Sequence, residues 1–177
     1  MIFRYDAIVF DFDGTLVNSN DVKAEAFGDL YKSYGKEIVN KVISYHKENL
    51  GISRFPKFKY FQEHIIEELY NDEIIDELSI KFTCLVKERI VHVPYIQGVQ
   101  NFLDINHSIL PFFLASATPD KELKEIVSQR GMHQYFEDIY GFPLTKSQIL
   151  CRIINKNSFT PKRVLMVGDC LLYTSPS

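Results

Sequence analysis

Val9-Phe10-Asp11-Phe12-Asp13-Gly14-Thr15-Leu16-Val17 is the stretch on which the fold turns. The run leading into it, Tyr5 to Asp11, is short and apolar, ends in acids and is bounded by Gly14. That pattern predicts a buried parallel strand with a polar tip, because a strand covered on both faces reads as continuous apolar sequence. From Asn20 to His92 the spacing becomes helical. Val22, Ala26, Leu30 and Tyr34 make one expected stripe, closed at Gly35, and Ile38, Val42 and Tyr45 a second. Phe58, Phe61, Ile65, Ile66 and Leu69 make a third, and Ile74, Leu78, Phe82, Leu85 and Val86 a fourth. These aromatic and aliphatic stripes are expected to be core.

Beyond Val93-Pro94-Tyr95 strand and helix alternate again. Gly98 to Asn106 predicts a helix and Leu110 to Ala115 a strand. Thr118-Pro119 is expected to open a helix, with Thr as cap and Pro at the first position, ending near Arg130-Gly131. Glu137 to Tyr140 predicts a strand. Thr145-Lys146-Ser147-Gln148 reads as a capping box for a helix to about Asn155, and Arg163 to Gly168 as a last strand. The result is an α/β chain: a doubly wound parallel sheet with an all-helical insert after its first strand.

The chain has 177 residues, 46% of them hydrophobic and 24% charged, which suits globular structure rather than disorder. A net charge of -3 gives no field for a polyanion, so nucleic acid is not an expected partner. No apolar run approaches the about 18–20 residues of a membrane span, and Asp6 interrupts any leader-like start, so no membrane partner is expected. Three scattered cysteines, Cys84, Cys151 and Cys170, suit reduced thiols and a cytoplasmic setting.

In open α/β sheets ligands bind beyond the carboxyl ends of the strands. The residues expected there are Asp11 and Asp13 after the first strand and Ser116 after the second. Lys146 stands at the helix after the third strand, and Asp169 at the end of the fourth. Carboxylates, a hydroxyl and an ammonium converging on one crevice suit a hard divalent cation and a phosphate.

Val9 to Val17 resembles the first signature of the haloacid-dehalogenase superfamily of phosphohydrolases. Leu114-Ala115-Ser116-Ala117-Thr118 is similar to its second signature, Lys146 to its third and Val167-Gly168-Asp169 to the start of its fourth. The likeness spans residues 5 to 169 and implies a Rossmann-like core, residues 1–17 and 95–169, with a helical cap, residues 18–94. It implies that Asp11 is the nucleophile, forming an aspartyl-phosphate, and that Asp13 exchanges protons with leaving group and water. It further implies that Mg²⁺ is held by Asp11, the Asp13 carbonyl and Asp169, and that Ser116, the Ala117 amide and Lys146 hold the phosphoryl oxygens. Dehalogenating members lack an acid at the position of Asp13, since their leaving group needs no proton.

The cap, hinged at Thr15 to Ser19 and His92 to Ile96, is expected to exclude water and to select the substrate, a small phosphorylated metabolite. Leu50-Gly51-Ile52-Ser53-Arg54 resembles the specificity loop of the β-phosphoglucomutase-like and phosphoglycolate-phosphatase-like members. Arg54 is then a candidate clamp for a carboxylate or second phosphate; the alternative is a solvent-facing arginine at a helix start. Lys23 falls where the mutases carry a catalytic histidine and is a second candidate substrate contact. His46, His64, His92, His107 and His133 share no ligand spacing and are expected to be surface or partly buried structural residues.

Cys170 to Ser177 resembles a translated sequencing adaptor, so a non-native tail is expected there, with family sequence readable to residue 169. A chain ending there would leave Val164 to Val167 as an apolar edge strand and impair the fold. The leading expectation is a Mg²⁺-dependent phosphatase. The alternatives are a β-phosphoglucomutase-like phosphotransferase and an inactive fragment or binding module of the same fold.

Overall fold

The computed structural model describes residues 4–169. In chain order the elements are β1 (Ala7–Phe10), α1 (Asn20–Leu30), α2 (Lys36–Glu48), α3 (Arg54–Tyr60), α4 (Asp72–His92), α5 (Val99–Asn106), β2 (Phe112–Pro119), α6 (Asp120–Gln129), β3 (Asp138–Phe142), α7 (Lys146–Asn157) and β4 (Val164–Val167). The chain divides into two compact units, parted between Asn18 and Ser19 and again between His92 and Val93. Residues 170–177, on which the expected tail falls, lie outside the described residues. Among the described residues no helix is long and apolar enough to cross a membrane.

The first unit holds a four-stranded parallel sheet in the order β3-β2-β1-β4. All four residues of β1 are buried, as its unbroken apolar run requires. Alternation divides its side chains between two faces. Ala7 and Val9 pack with Phe113, Ala115, Ile149 and Ile153, so this face of the sheet is covered by α7. Phe10 turns the other way, its ring centroid 5.1 Å from Phe112 and 6.2 Å from Phe102 on α5. Phe10 pairs with Leu114 on one side and Val167 on the other. The residues that follow these partners therefore emerge at one edge of the sheet.

The β2–β3 pairing is irregular. Ala115 pairs with Tyr140 and Pro119 with Phe142, so β2 carries two extra residues over this interval. This corrects the expected helix start. Thr118 lies in the strand rather than capping α6, which begins at Asp120 behind Pro119. Its hydroxyl instead donates to the carboxylate of Asp13. Gly141 is what lets β3 pass the bulge: a Cβ there would stand 2.5 Å from the Thr118 carbonyl oxygen.

The second unit is helical, with α3 running into a π-helical turn over Phe61–Ile66. Phe27 centres its core, with ring centroids of Phe82, Phe58 and Phe61 at 4.4, 5.5 and 5.5 Å. The buried stripes are shifted from those expected. On α1, Ala24, Ala26, Phe27 and Gly28 are buried, followed by Tyr31, while Tyr34 is exposed. On α4 the buried residues are Ile75, Ser79, Phe82, Val86 and Ile90, while Ile74 is exposed, and Leu69 is wholly in solvent. Two aliphatic residues in tandem satisfy more than one 3.6-residue stripe, and only tertiary packing selects between them. His46, expected at or near the surface, is buried against Phe27. Its Nδ1 lies 2.9 Å from the buried ammonium of Lys57.

Candidate active site

The sheet brings the predicted residues of the first unit to the carboxyl ends of its strands. Asp11 follows β1, and its backbone N–H donates to the Val167 carbonyl oxygen at 2.8 Å, which extends the β1–β4 ladder to the site. Its side chain is buried. One carboxylate oxygen, Oδ1, accepts the Phe12 N–H at 2.7 Å, while Oδ2 accepts from the Lys146 ammonium. Burial raises the Asp11 pKa to about 6; the Lys146 charge and hydrogen bond oppose that rise, and the Asp13 charge adds to it. At neutral pH the carboxylate is thus mostly ionised, and it is less solvated than an exposed one.

Asp13 sits on a loop whose shape the sequence dictates. Gly14 adopts φ +69°, a left-handed conformation open to glycine at little cost. The chain then folds back, with Gly14 N–H donating to Val17 O at 2.9 Å and Leu16 N–H to Phe12 O at 2.9 Å. Phe12, Leu16 and Val17 are buried and anchor the loop, leaving Asp13 half-buried at its head. Its Oδ2 accepts from the Thr118 hydroxyl at 3.3 Å.

Ser116 and Ala117 lie in the irregular part of β2, Ser116 buried and Ala117 half-buried. Ser116 Oγ accepts the Thr118 N–H at 3.1 Å. Lys146 is the first residue of α7, fixed by the capping box read from sequence: Gln148 N–H donates to Thr145 Oγ1 at 3.2 Å, and Thr145 N–H to Gln148 Oε1 at 2.9 Å. That cap sets where the helix starts, and so directs the buried Lys146 side chain onto Asp11 across 135 positions of sequence. Hydrogen bonds thus join Lys146 to Asp11 and, through Thr118, Asp13 to Ser116.

Asp169 follows β4. A Cβ built on Gly168 would stand 3.6 Å from the Asp11 Cβ, so the backbone just before Asp169 passes against the Asp11 side chain. Among the described residues no three His, Cys, Asp or Glu side chains are grouped closely enough to hold a metal by themselves. The carboxylates that follow these strands are those of Asp11 and Asp13 after β1 and of Asp169 after β4. An all-oxygen set with so few carboxylates fits Mg²⁺, which keeps several of its waters, and does not fit a soft metal.

The two cap candidates belong to the second unit. Lys23 is half-buried on α1. Arg54, the first residue of α3, is buried rather than facing solvent. Its Nη1 donates to Thr83 Oγ1 at 2.7 Å and to Ser79 O at 3.4 Å, and its guanidinium carbon lies 4.5 Å from the Phe82 ring centroid.

Thr118 is the site residue that the sequence reading missed. Nothing local in the sequence signalled this, because Thr118-Pro119 has the form of a helix cap and the irregular stretch of β2 between Ala115 and Pro119 is set by pairing with β3.

A sequence profile described as haloacid dehalogenase-like hydrolase matches residues 8–172. A phosphorylated carbohydrates phosphatase of Thermotoga maritima is 22% identical, over 93% of this chain and 76% of that one. The fold is similar to that of β-phosphoglucomutase from Clostridium difficile, with a TM-score of 0.76 and 18% identity over 94% of this chain and 77% of the other. It is also similar to CbbY from Rhodobacter sphaeroides, solved with phosphate, at a TM-score of 0.74 and 15% identity over 94% and 79% of the two chains.

Proposed function

Because this chain belongs to the haloacid dehalogenase-like hydrolase family, we propose that it is a phosphatase of small phosphorylated metabolites, working through an aspartyl-phosphate on Asp11. The observation that carries the reading is the buried contact of the Lys146 ammonium with the Asp11 carboxylate. An ion pair sealed from water at the mouth of a sheet has little value for stability alone, and it suits a site that takes up a dianion.

In the first step an Asp11 carboxylate oxygen attacks phosphorus and the ester P–O bond breaks. The Asp13 carboxyl gives its proton to the departing alkoxide, which leaves as an alcohol. A water then attacks the phosphorus of the aspartyl-phosphate, Asp13 takes a proton from it, and the bond to Asp11 breaks to release inorganic phosphate. The Ser116 hydroxyl, the Ala117 N–H and Lys146 hold the phosphoryl oxygens throughout, so the developing charge meets donors already in place. Asp11, the Asp13 carbonyl and Asp169 are the residues that would hold Mg²⁺, whose charge there would offset the repulsion between an anionic nucleophile and an anionic substrate.

The substrate class is a sugar phosphate or a phosphoglycolate-like acid, in keeping with the phosphorylated-carbohydrate phosphatase among its relatives. Lys23 is the proposed substrate contact from the second unit, whereas the Arg54 guanidinium is taken up within that unit by Thr83, Ser79 and Phe82. Cys84 and Cys151 are free and exposed thiols, in keeping with a cytoplasmic enzyme.

The test is phosphate release from p-nitrophenyl phosphate and from a panel of sugar phosphates and phosphorylated hydroxy acids, with Mg²⁺ or with EDTA. Release that needs Mg²⁺ and is abolished by Asp11→Asn is expected. Release unchanged by Asp11→Asn would remove the nucleophile and the reading with it. Transfer of phosphate to a second sugar phosphate would instead mark a phosphotransferase.

A further inference from the structure

We propose that Thr118 is the positioning residue for Asp13, its hydroxyl holding the carboxyl group that exchanges protons with the leaving group. The inference rests on the role given to Asp13 above.

Thr118 is nearly sealed from solvent, at 4% exposure, and its N–H and hydroxyl point to two different parts of the site. Its backbone N–H donates to Ser116 Oγ at 3.1 Å, and its hydroxyl donates to Asp13 Oδ2 at 3.3 Å. A regular strand would not offer both. The two extra residues of β2 between Ala115 and Pro119 turn the Thr118 amide away from the ladder and onto the Ser116 side chain.

The irregularity is held from the far side as well. Gly141 N–H donates to Asp120 Oδ1 at 3.0 Å, and a side chain at 141 would strike the Thr118 carbonyl oxygen and the Asp120 backbone. Thr118 therefore has little room to shift along or away from the strand. A hydroxyl on a fixed backbone, with a β-branched side chain that has few rotamers, gives Asp13 a fixed partner. Asp13 itself sits on a half-buried loop and gains orientation from that partner. Proton transfer depends steeply on such geometry, and a misplacement of about 1 Å can cost about 100-fold in rate.

The test compares two leaving groups. p-Nitrophenolate departs without a proton, whereas the alkoxide of a sugar phosphate needs one. kcat/KM reports the steps up to phosphoryl transfer, so it isolates protonation of the leaving group from the later hydrolysis. For Thr118→Val, kcat/KM on a sugar phosphate is expected to fall about 10–30-fold, and on p-nitrophenyl phosphate by less than about 3-fold. Thr118→Ser keeps the hydroxyl and is expected to stay within about 3-fold of the parent on both substrates. Thr118→Ala serves in place of the valine variant if that protein does not fold, and thermal melts identify which variants are folded.

Equal losses on the two substrates, no loss on either, or failure of Thr118→Ser to restore the sugar phosphate reaction would each overturn the proposal. Asp13→Asn, measured on the same pair, separates the levels. If it spares the sugar phosphate, the role of Asp13 is wrong and the inference falls with it. If Asp13→Asn loses the sugar phosphate selectively and Thr118→Val does not, only the role of Thr118 is wrong.

Discussion

Replacing Lys146 by Met removes one partner of an ion pair whose side chains are 4% and 7% exposed, and leaves the Asp11 carboxylate buried. At ordinary contact distance and an effective dielectric near 20 the gross attraction is about 6 kcal/mol, and burying the two ions costs several kcal/mol each. The pair as a whole therefore adds little to stability, yet breaking it from one side is expected to cost about 3–5 kcal/mol. Asp11→Asn is milder, about 1.5–3 kcal/mol, because the amide oxygen still accepts hydrogen bonds while the ammonium loses its counter-charge. The double variant holds no uncompensated ion, so its loss should be smaller than the sum of the two single losses by about 2 kcal/mol. Urea unfolding of the four proteins at neutral pH in EDTA, with a common slope, reads the cycle. Additive losses would mean that the two groups do not meet in the folded protein.

Three further outcomes follow from local geometry. Thr145→Ala removes the capping box of α7 and is expected to cost about 1–2 kcal/mol in urea unfolding, with a fall in phosphatase turnover because Lys146 is the first residue of that helix. Ser53→Ala should be neutral or stabilising in the same assay, although Ser53 stands at the N-cap of α3. Its hydroxyl makes no capping bond and is buried without a partner among the described residues, so the usual loss of about 1 kcal/mol does not apply. The buried Tyr31 phenol is pushed up to about 12, by burial above all. Between pH 10 and that value the unfolded chain gives up the Tyr31 proton while the folded chain keeps it. Stability therefore falls as pH rises through the window, by up to about 3 kcal/mol, and Tyr31→Phe should lose that part of the slope.

The elements of the first unit were legible wherever a local signal had one reading. The unbroken apolar run before Asp11, too short for a helix and bounded by Gly14, reads as a strand covered on both faces, and Thr145 with Gln148 specifies a helix start to the residue. Once the strands are known, the rule that ligands bind at their carboxyl ends brings Asp11, Asp13, Ser116 and Lys146 to one edge. What was not legible depends on tertiary context. Thr118-Pro119 has the form of a helix cap, and only the extra length of β2 and the nearby Asp13 turn Thr118 to other use. In the helical unit, tandem aliphatic pairs such as Ile74-Ile75 leave the buried face open until the partner helices choose it. Arg54, Lys57 and His46 are buried because aromatic rings and hydrogen-bond partners from other helices receive them, which no pattern along a single helix records.

The most direct test of the central claim is to trap the covalent intermediate. The protein is incubated briefly with a ³²P-labelled phosphate monoester and Mg²⁺, quenched in acid and digested, and the labelled peptide is identified. Label is expected on the peptide that contains Asp11, released by hydroxylamine as an acyl phosphate should be, and absent from Asp11→Asn. Rapid turnover with no such label, or with label on another residue, would contradict it.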